Sequence, residues 1–255
     1  MNISQFEPLD NLQNKVAVIF GGLGAVGFAT AIRLSRLGAS CVLISRSACE
    51  RGRNQITYLS GSNHLLLNAS ITDSKSLTNA AKEVSDHYGR CDILVNSAGF
   101  TKPVPAANLE ELTDELIDEV LKANFRGVIA AIRAFTPLLK ASKDGLIVNV
   151  SSIAGFTGVG SNLAYIAAKA GIDIVSESLA KVLAPNIRVL CVSPGVVDSN
   201  FVPGRGVDFN EKTALSTPLK RVGAPDDVAA AIESCAIQLR FATGTRIVID
   251  GGRHL

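Results

Sequence analysis

A tyrosine and a lysine stand four residues apart, at Tyr165 and Lys169. The apolar periodicity around them predicts a helix, on which residues four apart project from the same face. A phenol with a pKa of about 10 is a poor acid-base catalyst at neutral pH until a nearby cation favours its ionised form. Lys169 supplies such a cation, so this pair can transfer a proton to or from a substrate oxygen.

Two further polar residues precede this pair. Ser152 closes a predicted apolar strand 13 residues before Tyr165, and Asn124 lies in the long helical region before that strand. A serine at the carboxyl end of a strand lies where open α/β sheets bind their ligands, although most such serines only cap turns. If Ser152 meets Tyr165, its hydroxyl can stabilise negative charge that develops on a substrate oxygen.

A glycine-rich turn follows the first predicted strand and leads directly into an amphipathic helix. Its residues 22–27 spell G-x-G-x-x-G. Glycines let a pyrophosphate approach the backbone N–H groups at a helix N-terminus, so the turn predicts a dinucleotide-binding site. The alternative is a tight turn that only needs positive φ angles. The turn consists of Gly21, Gly22, Leu23, Gly24, Ala25, Val26 and Gly27.

The end of the second predicted strand bears on the choice of dinucleotide. Proteins that bind NAD usually place an acidic residue about 20 residues beyond the glycine turn, where it accepts a hydrogen bond from the ribose 2′-hydroxyl. Ser45 and Arg46 occupy this place, and Arg46 is 19 residues after Gly27. A guanidinium favours a 2′-phosphate, so the sequence predicts NADP(H) in preference to NAD(H). The alternative is a surface arginine that lies beside the strand.

Seven short apolar, β-branched runs alternate with segments of helical periodicity. Such runs are typical of parallel strands buried on both faces, and the alternation predicts a doubly wound α/β sheet in a single domain. The predicted strands cover 15–20, 41–45, 64–68, 92–97, 145–152, 187–193 and 245–250. The main predicted helices cover 28–39, 74–89, 113–142 and 164–184.

The composition fits a cytoplasmic α/β enzyme and argues against several other classes of protein. A net charge of +2 in 255 residues gives no field for nucleic acid or an anionic membrane, and the 5% aromatic content without Trp argues against base-stacking surfaces. Five cysteines without C-x-x-C spacing and three scattered histidines predict reduced thiols and no metal site.

Residues 1–14 are predicted to form a loose N-terminal arm. Glycines interrupt the uncharged stretch 16–32, so no membrane span is predicted there.

From about Lys15 to Gly252 the chain resembles a short-chain dehydrogenase/reductase, most closely the 3-oxoacyl-(acyl carrier protein) reductase branch. The resemblance rests on motifs that occur in the order and spacing of that family. They are the glycine turn, Asn96-Ser97-Ala98-Gly99, Asn124, Ser152, Tyr165-x-x-x-Lys169, Pro194-Gly195 and Asp250-Gly251-Gly252. The resemblance implies a Rossmann fold and hydride transfer between NADP(H) and a carbonyl or secondary-alcohol substrate.

The resemblance also implies a role for each matching residue. Tyr165 would donate and accept the proton, and Lys169 would hold the nicotinamide ribose and acidify Tyr165. Ser152 would hydrogen-bond the substrate oxygen, and Asn124 would support a water relay to Lys169. The implied cofactor contacts are Gly21, Leu23, Gly24, Val26 and Gly27 in the turn, then Ser45, Arg46, Ser70, Ile71, Asn96, Ala98, Gly99, Pro194, Gly195, Val197 and Ser199, with Tyr165 and Lys169.

The chain departs from the family pattern at several of these positions. Phe20 replaces the usual threonine before the turn, and Ala25 stands at the middle glycine. Ser70 stands where the family commonly has an aspartate that contacts the adenine. Ser97 and Ser199 replace an asparagine and a threonine but keep the capacity for hydrogen bonding. These differences predict an altered turn and an altered adenine contact.

Other functions fit parts of this pattern. A dinucleotide-binding sensor or scaffold would keep the glycine turn, but the complete set of Ser152, Tyr165 and Lys169 argues against a protein without turnover. An NAD-dependent secondary-alcohol dehydrogenase would differ only in its cofactor. A serine hydrolase is disfavoured, because the sequence contains no G-x-S-x-G and no histidine placed as a partner.

The predictions of the substrate and of the assembly state rest on less specific features of the sequence. The family closes its pocket with the segment after Pro-Gly, here about 198–217. Arg205 in that segment and Lys102 after the fourth strand suggest an anionic substrate, although exposed basic residues are more often only solvated.

The helices around 113–140 and 161–183 carry excess apolar surface, and the family commonly pairs these helices across twofold axes. A homotetramer, or at least a homodimer, is therefore predicted.

Overall fold

The computed structural model describes residues 11–255, and these form one seven-stranded parallel sheet covered by helices. The strands are β1 Val16–Phe20, β2 Ser40–Ser45, β3 Leu65–Asn68, β4 Ile93–Asn96, β5 Gly145–Val150, β6 Ile187–Pro194 and β7 Thr245–Ile249. The α-helices are α1 Ala25–Arg36, α2 Ala48–Arg51, α3 Ser74–Tyr88, α4 Asp114–Leu121, α5 Gly127–Ala141, α6 Ala154–Thr157, α7 Leu163–Leu183, α8 Phe209–Ser216 and α9 Pro225–Ile237. The predicted doubly wound sheet is therefore confirmed.

The strand order in space is β3-β2-β1-β4-β5-β6-β7. The chain builds outward from β1 to β3, then returns to the centre and builds in the opposite direction from β4. Because the direction reverses between β1 and β4, the turns after these two strands diverge and leave a crevice at their carboxyl ends. The residues that follow β1 and β4 therefore flank the crevice where sheets of this kind bind ligands.

Alternate side chains of each strand enter two separate cores. Val18 and Phe20 of β1 pack against α3, α5 and α7, whereas Ile19 packs against α1 and α9 on the opposite face. Phe20, which stands where the family has a threonine, is 1% exposed and its ring meets the ring of Phe135 edge-on at 5.6 Å. The change at Phe20 is thus accommodated by the core and does not face the crevice.

The predicted N-terminal arm over 1–14 lies partly outside the described residues, which begin at Asn11. Leu12 is 2% exposed, and its backbone N–H donates to the carbonyl of Leu37 at 2.8 Å. The described end of this segment therefore packs on the domain. No helix in the described part of the chain is long and apolar enough to cross a membrane.

The helical segment predicted over 113–142 is not one continuous α-helix. A π-helical turn at Lys122–Arg126 separates α4 from α5. Within the turn the side-chain amide of Asn124 donates to the carbonyl of Val120 at 2.9 Å. In a regular α-helix that carbonyl accepts the backbone N–H of residue 124, so the side chain takes the place of a main-chain bond. π-helical turns of this kind frequently mark functional sites.

Candidate active site

The glycine turn after β1 is built so closely that three of its positions, Gly21, Gly22 and Gly27, leave no room for a side chain. Gly21 has a φ of +75°, and a Cβ there would lie 2.7 Å from the backbone nitrogen of Ala98. A Cβ on Gly27 would lie 2.2 Å from the carbonyl oxygen of Gly21. The N–H of Gly24 donates to that same oxygen at 2.8 Å and closes the turn. The turn therefore forms despite the shifted position of Gly24.

The start of α1 fits the pyrophosphate of a dinucleotide. Its N-cap is Gly24, no side chain of residues 11–255 caps it, and its first turn holds no acidic residue. Leu23 packs into the core below, while Gly24 and Ala25 are exposed at the tip and Val26 is half-buried. Free N–H groups and the positive end of a helix dipole attract an anion. The sites predicted in this turn thus lie together at one helix terminus.

The end of β2 lies beside this turn, because the N–H of Gly21 donates to the carbonyl of Ile44 at 2.9 Å. Ser45 is half-buried and its hydroxyl accepts from the N–H of Ser47 at 3.4 Å. Arg46 follows in an exposed turn, and within the described residues its guanidinium forms no hydrogen bond or ion pair. The guanidinium is therefore available to an anion bound at the glycine turn.

The predicted adenosine contacts after β3 and β4 differ in which of their atoms face the crevice. The hydroxyl of Ser70 lies 2.9 Å from that of Thr72, so it is already part of a local turn. Ile71 packs against the core, while Ala98 and Gly99 lie at the edge of the sheet. The amide of Asn96 is 2% exposed and donates to the Asn149 side chain at 2.8 Å inside the protein. Asn96 thus offers the crevice only its main chain.

The predicted catalytic residues converge at the carboxyl end of β5. Asn162 caps α7 by accepting the N–H of Tyr165 at 2.7 Å, which fixes the tyrosine in the first turn of the helix. The Lys169 amine lies 5.5 Å from the centre of the Tyr165 ring and donates to the carbonyl of Val150 at 2.7 Å. The Ser152 hydroxyl is close enough to the phenol of Tyr165 to lower its pKa. The structure therefore brings Ser152, Tyr165 and Lys169 together as the spacing predicts.

Ser151 and Ser152 point in different directions, as neighbours along an extended chain do. The Ser151 hydroxyl is 2% exposed and donates to the carbonyl of Lys169 at 3.3 Å inside the protein. The Ser152 oxygen accepts the N–H of Ala154 at 3.1 Å and faces the tyrosine. Ser151 thus supports α7 from below, and of the two serines only Ser152 lies beside Tyr165.

Burial dominates the ionisation of Tyr165 and Lys169. Burial raises the pKa of Tyr165 to about 12, although a hydrogen bond from Ser152 and the charge of Arg205 act in the opposite direction. Burial lowers the pKa of Lys169 to about 8, against the opposing influence of Cys191 and Asp173. The sequence predicts that Lys169 acidifies Tyr165. In the cofactor-free protein the tyrosine is instead firmly protonated at neutral pH.

Asn124 lies next to the catalytic cluster but its polar atoms are committed to the main chain. Its amide donates to the carbonyls of Phe100 at 2.6 Å and Val120 at 2.9 Å, and its oxygen accepts the N–H of Phe100 at 3.3 Å. A Cβ on Gly99 would lie 2.7 Å from the same oxygen. Asn124 therefore fixes the segment after β4, and its role in a water relay to Lys169 stays a prediction.

The segment after β6 forms the far wall of the crevice. The N–H of Gly195 donates to the carbonyl of Ile249 at 3.0 Å, and a Cβ on Gly195 would lie 2.7 Å from the Cβ of Asp250. The carbonyl of Pro194 accepts from Ile153 at 3.0 Å, which ties this wall to the segment that holds Ser152. The other two predicted contacts follow closely, with Val197 buried and Ser199 half-buried.

Sequence reasoning missed two contributors to this site, Asn162 and Asp173, and it placed Phe201 in the lid without its contact to Tyr165. Asn162 directly precedes the helix α7 that carries Tyr165. An asparagine just before a helix is an N-cap signal that could have been recognised in the sequence. The rings of Phe201 and Tyr165 lie 6.0 Å apart, which brings the predicted lid onto the tyrosine. Asp173, one turn after Lys169, is 4% exposed and pairs with Arg246 of β7 at 2.8 Å. Contacts between such distant residues have no local signal in a sequence.

A family model described as Enoyl-(Acyl carrier protein) reductase matches residues 22–254, from the glycine turn to the C-terminal tail. The chain belongs to the short-chain dehydrogenase/reductase family. Within this family, the 3-oxoacyl-[acyl-carrier-protein] reductase of Chlamydia muridarum is 32% identical over 94% of this chain and 98% of its own length. Carbonyl reductase family member 4 of Danio rerio is 32% identical over 95% of this chain and 99% of its own length.

Solved structures of the same family superpose closely on this chain. A dehydrogenase/reductase from Sinorhizobium meliloti 1021 gives a TM-score of 0.87 at 30% identity, with 99% of both chains covered. A short-chain dehydrogenase/reductase titled glucose/ribitol dehydrogenase, from Brucella melitensis, gives 0.89 at 27% identity, with 96% of this chain and 98% of that chain covered. As a member of this family the chain is an oxidoreductase of the kind that binds a nicotinamide dinucleotide.

Proposed function

We propose that the chain is an NADP(H)-dependent oxidoreductase that interconverts a carbonyl compound and a secondary alcohol, with Tyr165 as the acid-base catalyst. One observation carries the proposal. Ser152 and Lys169 lie beside Tyr165 after β5, and the uncapped N-terminus of α1 follows β1 at the same carboxyl edge of the parallel sheet. A proton donor and a dinucleotide-binding turn on one crevice are what such a reaction needs.

The reaction follows from the chemistry of these side chains. NADPH held at the glycine turn would supply a hydride to the carbonyl carbon. Tyr165 donates its phenolic proton to the carbonyl oxygen, and Ser152 donates a hydrogen bond to the same oxygen as negative charge develops there. Lys169 would hold the nicotinamide ribose, and its positive charge stabilises the tyrosinate until a proton from solvent replaces the one given up. Oxidation of the alcohol reverses each step.

The preference for NADP(H) rests on Arg46 and on the absence of an acidic residue at the end of β2. Its guanidinium follows β2 in an exposed turn, and β2 is hydrogen-bonded to the glycine turn. A guanidinium binds a phosphate through two parallel hydrogen bonds, whereas the 2′-hydroxyl of NAD needs an acceptor, which arginine lacks.

The catalytic assignment is tested by removing one hydroxyl at a time. Tyr165→Phe is expected to fold and to bind NADPH, while turnover falls about 10²- to 10⁴-fold, the usual range for a general acid-base group. Ser152→Ala is expected to be milder, because the route of the proton remains. Turnover is measured as NADPH consumption with one active ketone, and thermal melts and NADPH titrations are run on the same preparations.

Ser151→Ala is the matched control, because its hydroxyl is buried away from the tyrosine and donates to the carbonyl of Lys169. It is expected to change turnover less than Ser152→Ala does. If Tyr165→Phe keeps near-parent turnover, or if Ser151→Ala is the more damaging of the two serine variants, then the assigned site is wrong.

We also infer that the protein assembles as a homotetramer in the cytoplasm. Leu163, Ile174 and Val182 of α7 are 38%, 64% and 71% exposed, an apolar surface larger than a solvated helix needs. Symmetric pairing of this helix across a twofold axis would bury these side chains. All five cysteines are free, and four of them are buried, which supports a reducing compartment.

A further inference from the structure

Arg205 lies in the loop between β6 and α8 and folds back over the crevice. Its Nη1 donates to the carbonyl of Val197 at 3.1 Å, and its guanidinium lies over the ring of Phe209 at 4.5 Å. These two contacts hold a flexible side chain in one place, because one end is hydrogen-bonded and one face is stacked. The guanidinium is therefore a fixed part of the lid and is not free in solvent.

The same loop brings this charge to the catalytic tyrosine. Phe201, four residues earlier, has its ring 6.0 Å from the ring of Tyr165. Arg205 and Tyr165 also interact electrostatically, since the charge of the guanidinium lowers the pKa of the phenol and the phenol acts on Arg205 in turn. A substrate whose carbonyl oxygen reaches Tyr165 would therefore lie within the field of Arg205.

Arg205 has no anionic partner among residues 11–255, unlike several arginines elsewhere in the protein. Arg33, Arg221 and Arg246, for example, each contact a carboxylate. Asp198 influences Arg205 only at longer range, because its carboxylate accepts from Asn210 at 2.9 Å. The Nε of Arg205 is buried without a hydrogen-bond partner, and burial lowers the pKa of the group.

A half-buried, unpaired guanidinium beside the reacting group is unfavourable until an anion arrives. Its unused N–H groups match the two oxygens of a carboxylate. Lys102, the other cation predicted near the mouth, does not share this position. Its side chain is exposed, and only its carbonyl is engaged, by Asn162 at 2.8 Å.

We propose that Arg205 binds a carboxylate of the substrate, and that the preferred substrates are small oxo acids or the corresponding hydroxy acids. This inference rests on the proposed function of Tyr165 as proton donor. It distinguishes a free acid from a neutral ester or thioester that has the same reacting carbonyl. A neutral substrate would leave the guanidinium unpaired inside the closed lid, whereas a carboxylate forms charge-assisted hydrogen bonds with it.

The test compares acetoacetate with methyl acetoacetate, and pyruvate with methyl pyruvate, because in each pair one methyl group removes the charge of the carboxyl group and leaves the reacting carbonyl in place. We expect the parent to show a kcat/KM with NADPH at least tenfold higher for one of the acids than for its ester. Arg205→Met is expected to lower kcat/KM for that acid about 10- to 100-fold, the usual worth of hydrogen bonds to a charged group, and to change the value for the ester less than about threefold.

Lys102→Met is the matched control, because it removes an exposed cation near the same mouth. It is expected to leave the ratio of acid to ester within about twofold of the parent. Equal use of acid and ester by the parent overturns the proposal. So does an equal loss on both substrates in Arg205→Met, which would indicate only a structural role in the lid. An equal selective loss in Lys102→Met would indicate general charge attraction and would also overturn it.

A binding measurement separates this inference from the proposed function. Calorimetric titration of acetoacetate and of pyruvate into NADPH-saturated Tyr165→Phe does not depend on turnover. Suppose that the parent consumes none of the four compounds but that one of these acids binds. If Arg205→Met in the Tyr165→Phe background then weakens that binding at least tenfold, the carboxylate site is supported and the proposed reaction is contradicted. If neither acid binds, or if binding is unchanged by Arg205→Met, the carboxylate site falls.

Discussion

Replacing Lys169 by methionine is expected to stabilise the cofactor-free protein while abolishing its activity. Lys169 is 6% exposed, and the carbonyl of Val150 is its hydrogen-bond acceptor. Burial lowers the pKa of its amine from 10.5 to about 8, despite the nearby Cys191 and Asp173. Because each pKa unit corresponds to about 1.4 kcal/mol, keeping the charged amine in the fold at neutral pH costs about 3 kcal/mol.

Methionine has a similar length and no charge, so Lys169→Met removes this cost. It also leaves the carbonyl of Val150 without its partner, which costs about 1 kcal/mol. The variant is therefore expected to be more stable than the parent by about 2 kcal/mol near pH 7, which raises the Tm by about 4 to 8 °C for a chain of this size. In the proposed reaction the charge is retained because catalysis and cofactor binding need it, a recurrent trade-off at active sites.

The pH dependence gives the sharper test. Between about pH 8 and 10.5 the unfolded chain keeps the Lys169 proton while the native state releases it. The free energy of unfolding of the parent therefore increases as the pH rises through this window, because the buried amine loses its charge. The advantage of the variant should therefore be full below pH 8 and shrink towards pH 10.5. Cys91 and Cys235 also titrate in alkali, but Lys169 is not among the groups that act on them, so their effects cancel in the difference.

The assay is a thermal melt of both proteins near pH 7 and near pH 9.5 without cofactor, with Lys181→Met as the control. Lys181 is an exposed lysine on the same helix, and its replacement is expected to shift the Tm by less than about 1 °C. A variant that melts below the parent near pH 7 would contradict the reasoning. An advantage of the same size near pH 9.5 would contradict it too, because the gain would then not come from the charge.

Three further predictions concern the cofactor, the fold and the assembly. Arg46→Asp is expected to reverse the ratio of kcat/KM for NADPH over NADH, because a carboxylate accepts from a ribose hydroxyl and repels a phosphate; equal use of both cofactors by the parent would refute this. Asp173→Ala leaves Arg246 unpaired and is expected to lower the free energy of unfolding in urea by about 2 kcal/mol, whereas Asp86→Ala, in the exposed pair with Lys82, should cost less than about 0.5 kcal/mol. Light scattering at micromolar concentration is expected to give the mass of a homotetramer. The mass of a monomer would contradict the inference that the apolar surface on α7 pairs with a second copy.

Much of the fold could be predicted because its signals are local. The strand runs and the glycine turn each occupy a few consecutive residues, and the sheet then follows from the alternation of strands with helices. Tyr165 and Lys169 share a helix face by spacing alone, and Ser152 follows a strand whose last residue, Val150, accepts a hydrogen bond from Lys169. For these residues the position along the chain already determines the position in space.

The remaining features depend on pairings that sequence patterns do not encode. The π-helical turn at Asn124 involves a hydrogen bond from its side chain to the main chain, which apolar periodicity does not encode. Asp173 meets Arg246 from 73 positions away, and Arg205 returns to Val197 across an irregular loop. The ionisation of Tyr165 depends on the sum of burial and several neighbours, so its direction could not be deduced from the presence of Lys169 alone.

The protonation of Tyr165 connects the catalytic cluster with the lid. A phenol with a pKa of about 12 carries its proton throughout the neutral range, which is the form that reduction of a carbonyl requires. The hydrogen bond from Ser152 and the charge of Arg205 both lower that pKa, against the effect of burial. A carboxylate bound at Arg205 would neutralise the second of these influences. Binding of an oxo acid would therefore keep the tyrosine protonated until the hydride arrives, whereas oxidation of the matching hydroxy acid would have to remove this proton against both burial and the bound anion.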